Sequence, residues 1–77
     1  MKEALKRREA MAALGYGVAY SAAGEAYSHA NGSAVEESLW GAADWVGWRD
    51  WDDLAEEPIT GDDPVAIAKK LLEQADD

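Results

Sequence analysis

The chain has 77 residues, no cysteine and a formal net charge of −9 at neutral pH. This length predicts one small domain over residues 1–77, and the lack of cysteine excludes disulfides and thiolate metal sites and suits the cytoplasm. The acidity argues against direct binding to nucleic acid or to an anionic membrane and favours a basic partner. The longest uncharged run, residues 10–24, is too short to span a bilayer.

Residues 2–14 predict a first helix because they are rich in Ala, Leu, Glu, Lys and Arg, which favour helix formation. Gly15 and Gly17 follow and are expected to end it. The helix carries three consecutive bases, Lys6, Arg7 and Arg8. They form either a solvated face or a salt bridge to the acidic residues further along the chain.

A second helix is predicted over residues 18–30. Tyr20, Ala23 and Tyr27 continue, at helical spacing, a stripe that starts at Tyr16 just before the helix. His29, the only histidine, would lie near the helix end and have a structural role. The best candidate for a strand is residues 16–20, followed at a distance by residues 45–51.

Asn31-Gly32 predicts a turn, and Ser33 with Glu36 three residues later matches a helix capping box. A third helix is therefore predicted over residues 33–49, with a break near residues 47–50 where its apolar face becomes acidic. Trp40 and Val46 are expected to be buried, and Trp48 or Trp51 to be at least partly exposed.

The last helix is predicted over residues 63–75. Asp63 is suited to cap it, Pro64 to occupy its first position, and Val65, Ala68 and Leu71 to form its apolar stripe. With no long alternating stretch elsewhere, the sequence predicts an all-α fold, a small compact bundle of about four short helices.

Nothing in the sequence predicts catalysis. There is one histidine and no serine in a recognisable nucleophile context, and Gly15-Tyr16-Gly17 lacks the rest of a phosphate-binding loop. A calcium loop starting at Asp50 or Asp52 would lack the required central glycine and closing glutamate. We therefore expect no enzyme activity, no cofactor and no specific metal site.

The acidic stretch, residues 36–63, holds ten of the sixteen acids, a single base (Arg49) and all four tryptophans. On a helix, Asp50, Asp53 and Glu57 would form a row of carboxylates about 5–6 Å apart. Such a ridge could occupy a basic groove that normally holds a nucleic-acid backbone, with tryptophan adding contact area. The residues predicted to bind the partner are Asp44, Trp48, Asp50, Trp51, Asp52, Asp53, Glu56, Glu57, Asp62 and Asp63.

In size, lack of cysteine and clustered carboxylates beside Trp48 and Trp51, the chain resembles the small acidic anti-CRISPR proteins of phages and mobile elements. The resemblance covers character and no diagnostic motif. It implies an inhibitor, acting in the cytoplasm of a bacterial host, that occupies a basic DNA- or PAM-reading surface of a CRISPR effector complex. The alternative is an acidic antitoxin or immunity protein that neutralises a basic toxin or nuclease.

Overall fold

The all-α prediction is wrong: a five-stranded antiparallel sheet carries two helices. The computed structural model describes residues 2–22, 24–38, 43–50 and 57–75. The elements in chain order are α1 (Lys2–Ala13), β1 (Tyr16–Ser21), β2 (Gly24–His29), β3 (Ala34–Glu37), β4 (Trp45–Trp48), β5 (Ile59–Gly61) and α2 (Pro64–Ala75). The first and last predicted helices are thus confirmed, whereas β1 to β4 replace the helices predicted over residues 18–30 and 33–49. Both segments suggested as possible strands do contain one.

The strands lie in the sheet in the order in which they occur in the chain, and each pairs antiparallel with the next. β1 and β2 form a hairpin closed by the pair Ser21↔Gly24. The predicted Asn31-Gly32 turn is confirmed between β2 and β3, where His29 N donates to Ser33 O at 2.9 Å. Gly32 has a φ of +97° there, a conformation that glycine adopts without a steric cost.

Two rows of side chains define the faces of the sheet. Paired residues place Val18, Tyr27, Val35, Gly47 and Ile59 in one row. A Cβ added to Gly47 would overlap Ile67 Cγ2 and approach Leu71 Cδ1 to 2.9 Å, so this row faces α2. The adjacent row, on the opposite face, consists of Ala19, Ala26, Glu36, Val46 and Thr60.

The core lies between the sheet and the two helices, and its buried residues are Met11, Tyr16, Tyr27, Val35, Trp45, Ile67, Ala68 and Leu71. α2 contributes three of them, of which Ala68 and Leu71 belong to its predicted stripe and Ile67 does not. Its start is also as predicted, because Asp63 Oδ1 accepts a hydrogen bond from Val65 N at 3.0 Å. No helix in the described ranges is long and apolar enough to cross a membrane.

The predicted capping box at Ser33 is wrong, because β3 begins at Ala34. Ser33 is fully buried, and its hydroxyl lies 3.0 Å from the Tyr16 hydroxyl and donates to Asn31 Oδ1 at 2.7 Å. His29 is not at a helix end either: its ring packs against that of Tyr16, with centroids 4.9 Å apart. Both residues therefore hold the β2–β3 turn against the start of β1.

Candidate protein-interaction surfaces

One group of exposed carboxylates lies at the end of the sheet where β4 begins and β5 ends, just before α2. Trp45 pairs with Gly61, so Asp44 and Asp62 come next to each other beyond that pair. Asp44 is held to β3 by Ser38 N, which donates to its backbone oxygen at 2.9 Å. Asp44, Asp62 and the helix-capping Asp63 are all exposed. We call this group the Asp62 end.

Bases of α1 lie beside the Asp62 end. Lys6 and Arg7 line a concavity of about 470 Å³ together with Asp62 and Asp63. The third base of α1, Arg8, instead forms an ion pair with Glu25, which lies outside the acidic stretch. The chain thus brings positive charge from its first helix close to one part of the acidic stretch, and the field of the Asp62 end is weaker than its carboxylates alone would produce.

A second group of carboxylates lies at the opposite end of the sheet. Asp50 follows β4, and its Oδ1 lies 3.8 Å from the position that a Cβ on Gly32 would take. Glu57 precedes β5 by two residues, next to the pair Gly47↔Ile59. Both side chains are exposed. We call this group the Asp50 end; at about 3.3 Å per strand residue, the four residues of β4 put about 13 Å between it and the Asp62 end.

The predicted helical row of carboxylates is not present as proposed. Residues 45–48 are extended, and Asp50 and Glu57 lie in irregular backbone on either side of a segment outside the described residues. Four predicted partner-binding residues fall in that segment: Trp51, Asp52, Asp53 and Glu56. The five described acids of the predicted site are exposed, but they divide between the two ends of the sheet.

The tryptophans that the structure describes are buried. Trp45 is 6% exposed in the helix-side core, with its ring centroid 6.2 Å from that of Tyr27. Trp48, also 6% exposed, lies on the opposite face in the row of Ala34. The expected burial of Val46 is confirmed, that of Trp40 falls outside the described residues, and Trp48 does not offer its ring to a partner at the surface.

A polar network that the sequence did not predict joins α1 to the first hairpin. The Arg8 guanidinium donates to Glu25 Oε1 and to the Tyr20 hydroxyl at 2.6 Å. The hydrogen bond from Arg8, and a second one from Tyr27, lower the pKa of Glu25 below its usual value. Burial, and then the nearby Glu25 carboxylate, raise the pKa of Tyr27 to about 12. The network fixes α1 over the hairpin.

Glu36 is the acid whose surroundings differ most from those of the exposed groups. It lies on the face away from the helices, in a concavity of about 400 Å³ lined mainly by alanine and serine of β1 to β3. Partial burial raises the pKa of its carboxyl. No local strand signal marks this position, because Ala34 and Val35 are both apolar and the next two residues are both acidic, and Ser33 with Glu36 matches a helix capping box.

The described residues contain no group of three or more histidine, aspartate or glutamate side chains arranged to hold a metal ion. The clustering of carboxylates therefore does not create a coordination site within those ranges. No protein-family model matches the chain, and neither a curated protein nor a solved structure matches it.

Proposed function

We propose that the chain is a non-catalytic inhibitor that binds a basic, nucleic-acid-binding protein and covers its binding surface with carboxylates. The observation that supports this most directly is the exposure of every described acid between Asp44 and Asp63. The acidic stretch contains a single base, so its charge is not balanced locally. A CRISPR effector subunit in the cytoplasm of a bacterial host is the partner that we propose.

The two ends of the sheet suggest how such a partner would be engaged. Exposed carboxylates keep contact with water in the free protein and therefore carry a small desolvation cost, unlike buried charges. They accelerate encounter with a basic surface, because complementary fields steer association. Lys6 and Arg7 lie beside the Asp62 end, and Arg49 directly precedes Asp50, so each end has positive charge near its carboxylates and both ends are contacts in this proposal.

Trp48 takes no part in the contact as now proposed, because its ring is buried. Exposed ion pairs are each worth only about 0–1 kcal/mol, so affinity must come from several carboxylates acting together and from desolvated contacts at the centre of the interface. The proposal therefore requires a partner surface with several lysine or arginine side chains, as in a groove that follows a nucleic-acid backbone.

The test is a competition experiment with purified CRISPR effector complexes, with and without target DNA already bound. We expect the chain to bind the free complex, to be excluded by preloaded DNA, and to dissociate as salt is raised to about 1 M, where screening acts over about 3 Å. Binding that is reduced neither by preloaded DNA nor by salt would contradict the proposal.

A pull-down from bacterial lysate, read by mass spectrometry, extends the test to partners of other kinds. Recovery of CRISPR effector subunits would support the proposal. Recovery of a single small toxin or nuclease would replace it with the antitoxin alternative, which relies on the same exposed carboxylates.

A further inference from the structure

The strand β1 forms one edge of the sheet and is open to solvent along most of its length. Only Tyr16 is buried, and residues 17–21 are all exposed. In an antiparallel ladder, alternate residues of an edge strand point their N–H and C=O groups away from the sheet. An edge strand of this kind, exposed over residues 17–21, can accept a further strand.

The same edge carries exposed apolar side chains. The exposed large hydrophobic residues of the described chain are Leu5, Val18 and Tyr20, at 60%, 44% and 69% exposure. Val18 and Tyr20 alternate along β1 and therefore share a face, and Arg8 of α1 reaches the Tyr20 hydroxyl. An open strand edge beside an apolar patch marks an interaction surface.

The charge pattern points to the occupant. Residues 10–24 contain no charged side chain, so β1 offers a basic partner nothing to pair with. Arg8 and Glu25, the nearest charges along the chain, pair with each other, and Glu36 lies two strands away from β1 on the face of Ala19. For a molecule with a net charge of −9, an uncharged edge is the part where a second equally acidic copy can approach with least repulsion.

The opposite edge of the sheet is protected by comparison. β5 has only three residues, Ile59–Gly61. Exposed acids flank it on both sides, Glu57 before it and Asp62 and Asp63 after it. Short edge strands and flanking charges are the usual means of preventing strand addition. The molecule thus protects the β5 edge and leaves most of the β1 edge exposed to solvent.

We propose that β1 pairs antiparallel with β1 of a second copy, with the two-fold axis passing by Ala19. This register places Val18 opposite Tyr20 of the second copy, and the reverse, so two aromatic–aliphatic cross-strand pairs form on one face. On the other face it places Gly17 opposite Ser21 of the second copy. The two five-stranded sheets become one continuous sheet, and the contact is isologous, as in most dimers.

The first test introduces a lysine on either edge. Ala19→Lys puts two like charges face to face across the axis, whereas Thr60→Lys makes the same change of charge on β5. By sedimentation equilibrium, we expect a concentration-dependent dimer of the 8.3 kDa chain, at least tenfold weaker in Ala19→Lys and unchanged in Thr60→Lys. Salt should strengthen this dimer by screening repulsion, which is the opposite of its effect on a basic partner.

The second test uses the absence of cysteine. Cα atoms directly opposite in a non-hydrogen-bonded antiparallel pair lie about 4.5 Å apart, within the range that a disulfide bridges. Under mild oxidation, Ala19→Cys should form a covalent dimer much faster than the matched Thr60→Cys. A parent chain that stays monomeric at all concentrations, or a disulfide that forms as fast at Thr60 as at Ala19, would overturn the proposal whatever the outcome for a basic partner.

Discussion

At the scale of single residues, Glu25 and Glu36 show how the same side chain acquires opposite effects on stability. Glu25 accepts hydrogen bonds from Arg8 and Tyr27, which lower the pKa of its carboxyl. Glu36 is half-buried beside alanine and serine, and this burial raises the pKa of its carboxyl. Ionised Glu25 therefore favours the folded state, and ionised Glu36 disfavours it.

Replacing each glutamate by glutamine should separate the two effects. Glu25→Gln should lower the free energy of unfolding at neutral pH, and the difference from the parent should vanish as pH falls through the folded-state pKa of Glu25. Glu36→Gln should raise the free energy of unfolding, with the gain appearing as pH rises above about 4.3, the usual value for glutamate. Urea unfolding over a range of acid pH measures both, and the same sign for the two variants would contradict the assignment.

The buried hydroxyl pair at the β2–β3 turn allows a second test. Ser33→Ala would leave the Tyr16 hydroxyl without its buried partner at 3.0 Å and should cost about 1–3 kcal/mol. Tyr16→Phe removes the group that would be stranded, so the double variant should lose less than the sum of the single variants. Thermal unfolding of the parent, the two single variants and the double variant measures the coupling energy. Strictly additive losses would show that the two hydroxyls are not coupled.

At the scale of elements, the approach of α2 to the sheet depends on the missing side chain of Gly47. We expect Gly47→Ala to cost about 1–3 kcal/mol, because the new methyl group meets Ile67 and Leu71. Gly17→Ala is the matched control, since a Cβ there has no atom within 4 Å. That variant should be neutral or stabilise by up to about 1 kcal/mol. Denaturant unfolding measures the free energy of unfolding of both variants. Equal effects would mean that α2 does not pack closely against Gly47.

The elements that sequence reasoning predicted correctly have local signals, and those that it missed do not. Asp63-Pro64 is a helix start whatever surrounds it. Tyr16 and Tyr20, by contrast, are four residues apart, and residues with that spacing lie on the same face of a helix and also of a strand. Alanines such as Ala19 and Ala26 favour helix by propensity, but pairing between strands overrides it here.

The candidate site was predicted in composition but not in arrangement. From Asp44 onward, every acid of the acidic stretch that the structure describes is exposed, as a partner-binding role requires. Their spacing was derived from a helix, however, and the extended β4 separates Asp44 from Asp50 instead of aligning them. Long-range strand pairing decides which acids become neighbours, and no local pattern in the sequence encodes that.

At the scale of the whole molecule, charge reversal can decide which end of the sheet meets a basic partner. Asp50→Lys with Glu57→Lys changes the Asp50 end, and Asp44→Lys with Asp62→Lys changes the Asp62 end. Each pair adds four positive units and moves the formal net charge from −9 to −5. Either pair should slow association, by up to about tenfold, since steering depends on the local field, and the pair with the larger effect marks the end that meets the partner.

Stopped-flow association at low salt measures this difference, and circular dichroism checks that both variants retain the fold. Equal slowing by the two pairs would mean that only net charge matters. No slowing by either would show that these carboxylates are merely a solvated surface, and the inhibitor proposal would lose its main support.

The strand order β1-β2-β3-β4-β5 also has a kinetic consequence. The connections between consecutive strands run from two residues, between β1 and β2, to ten, between β4 and β5. The sheet can therefore grow by adding one neighbouring strand at a time, and closing loops of this length costs little more chain entropy than closing shorter ones. The core forms differently, because it joins residues of α1, such as Met11, to residues of α2, such as Leu71, from opposite ends of the chain. Docking of α2 is therefore the slow event in this topology, and the sheet is exposed on its helix side until that event occurs.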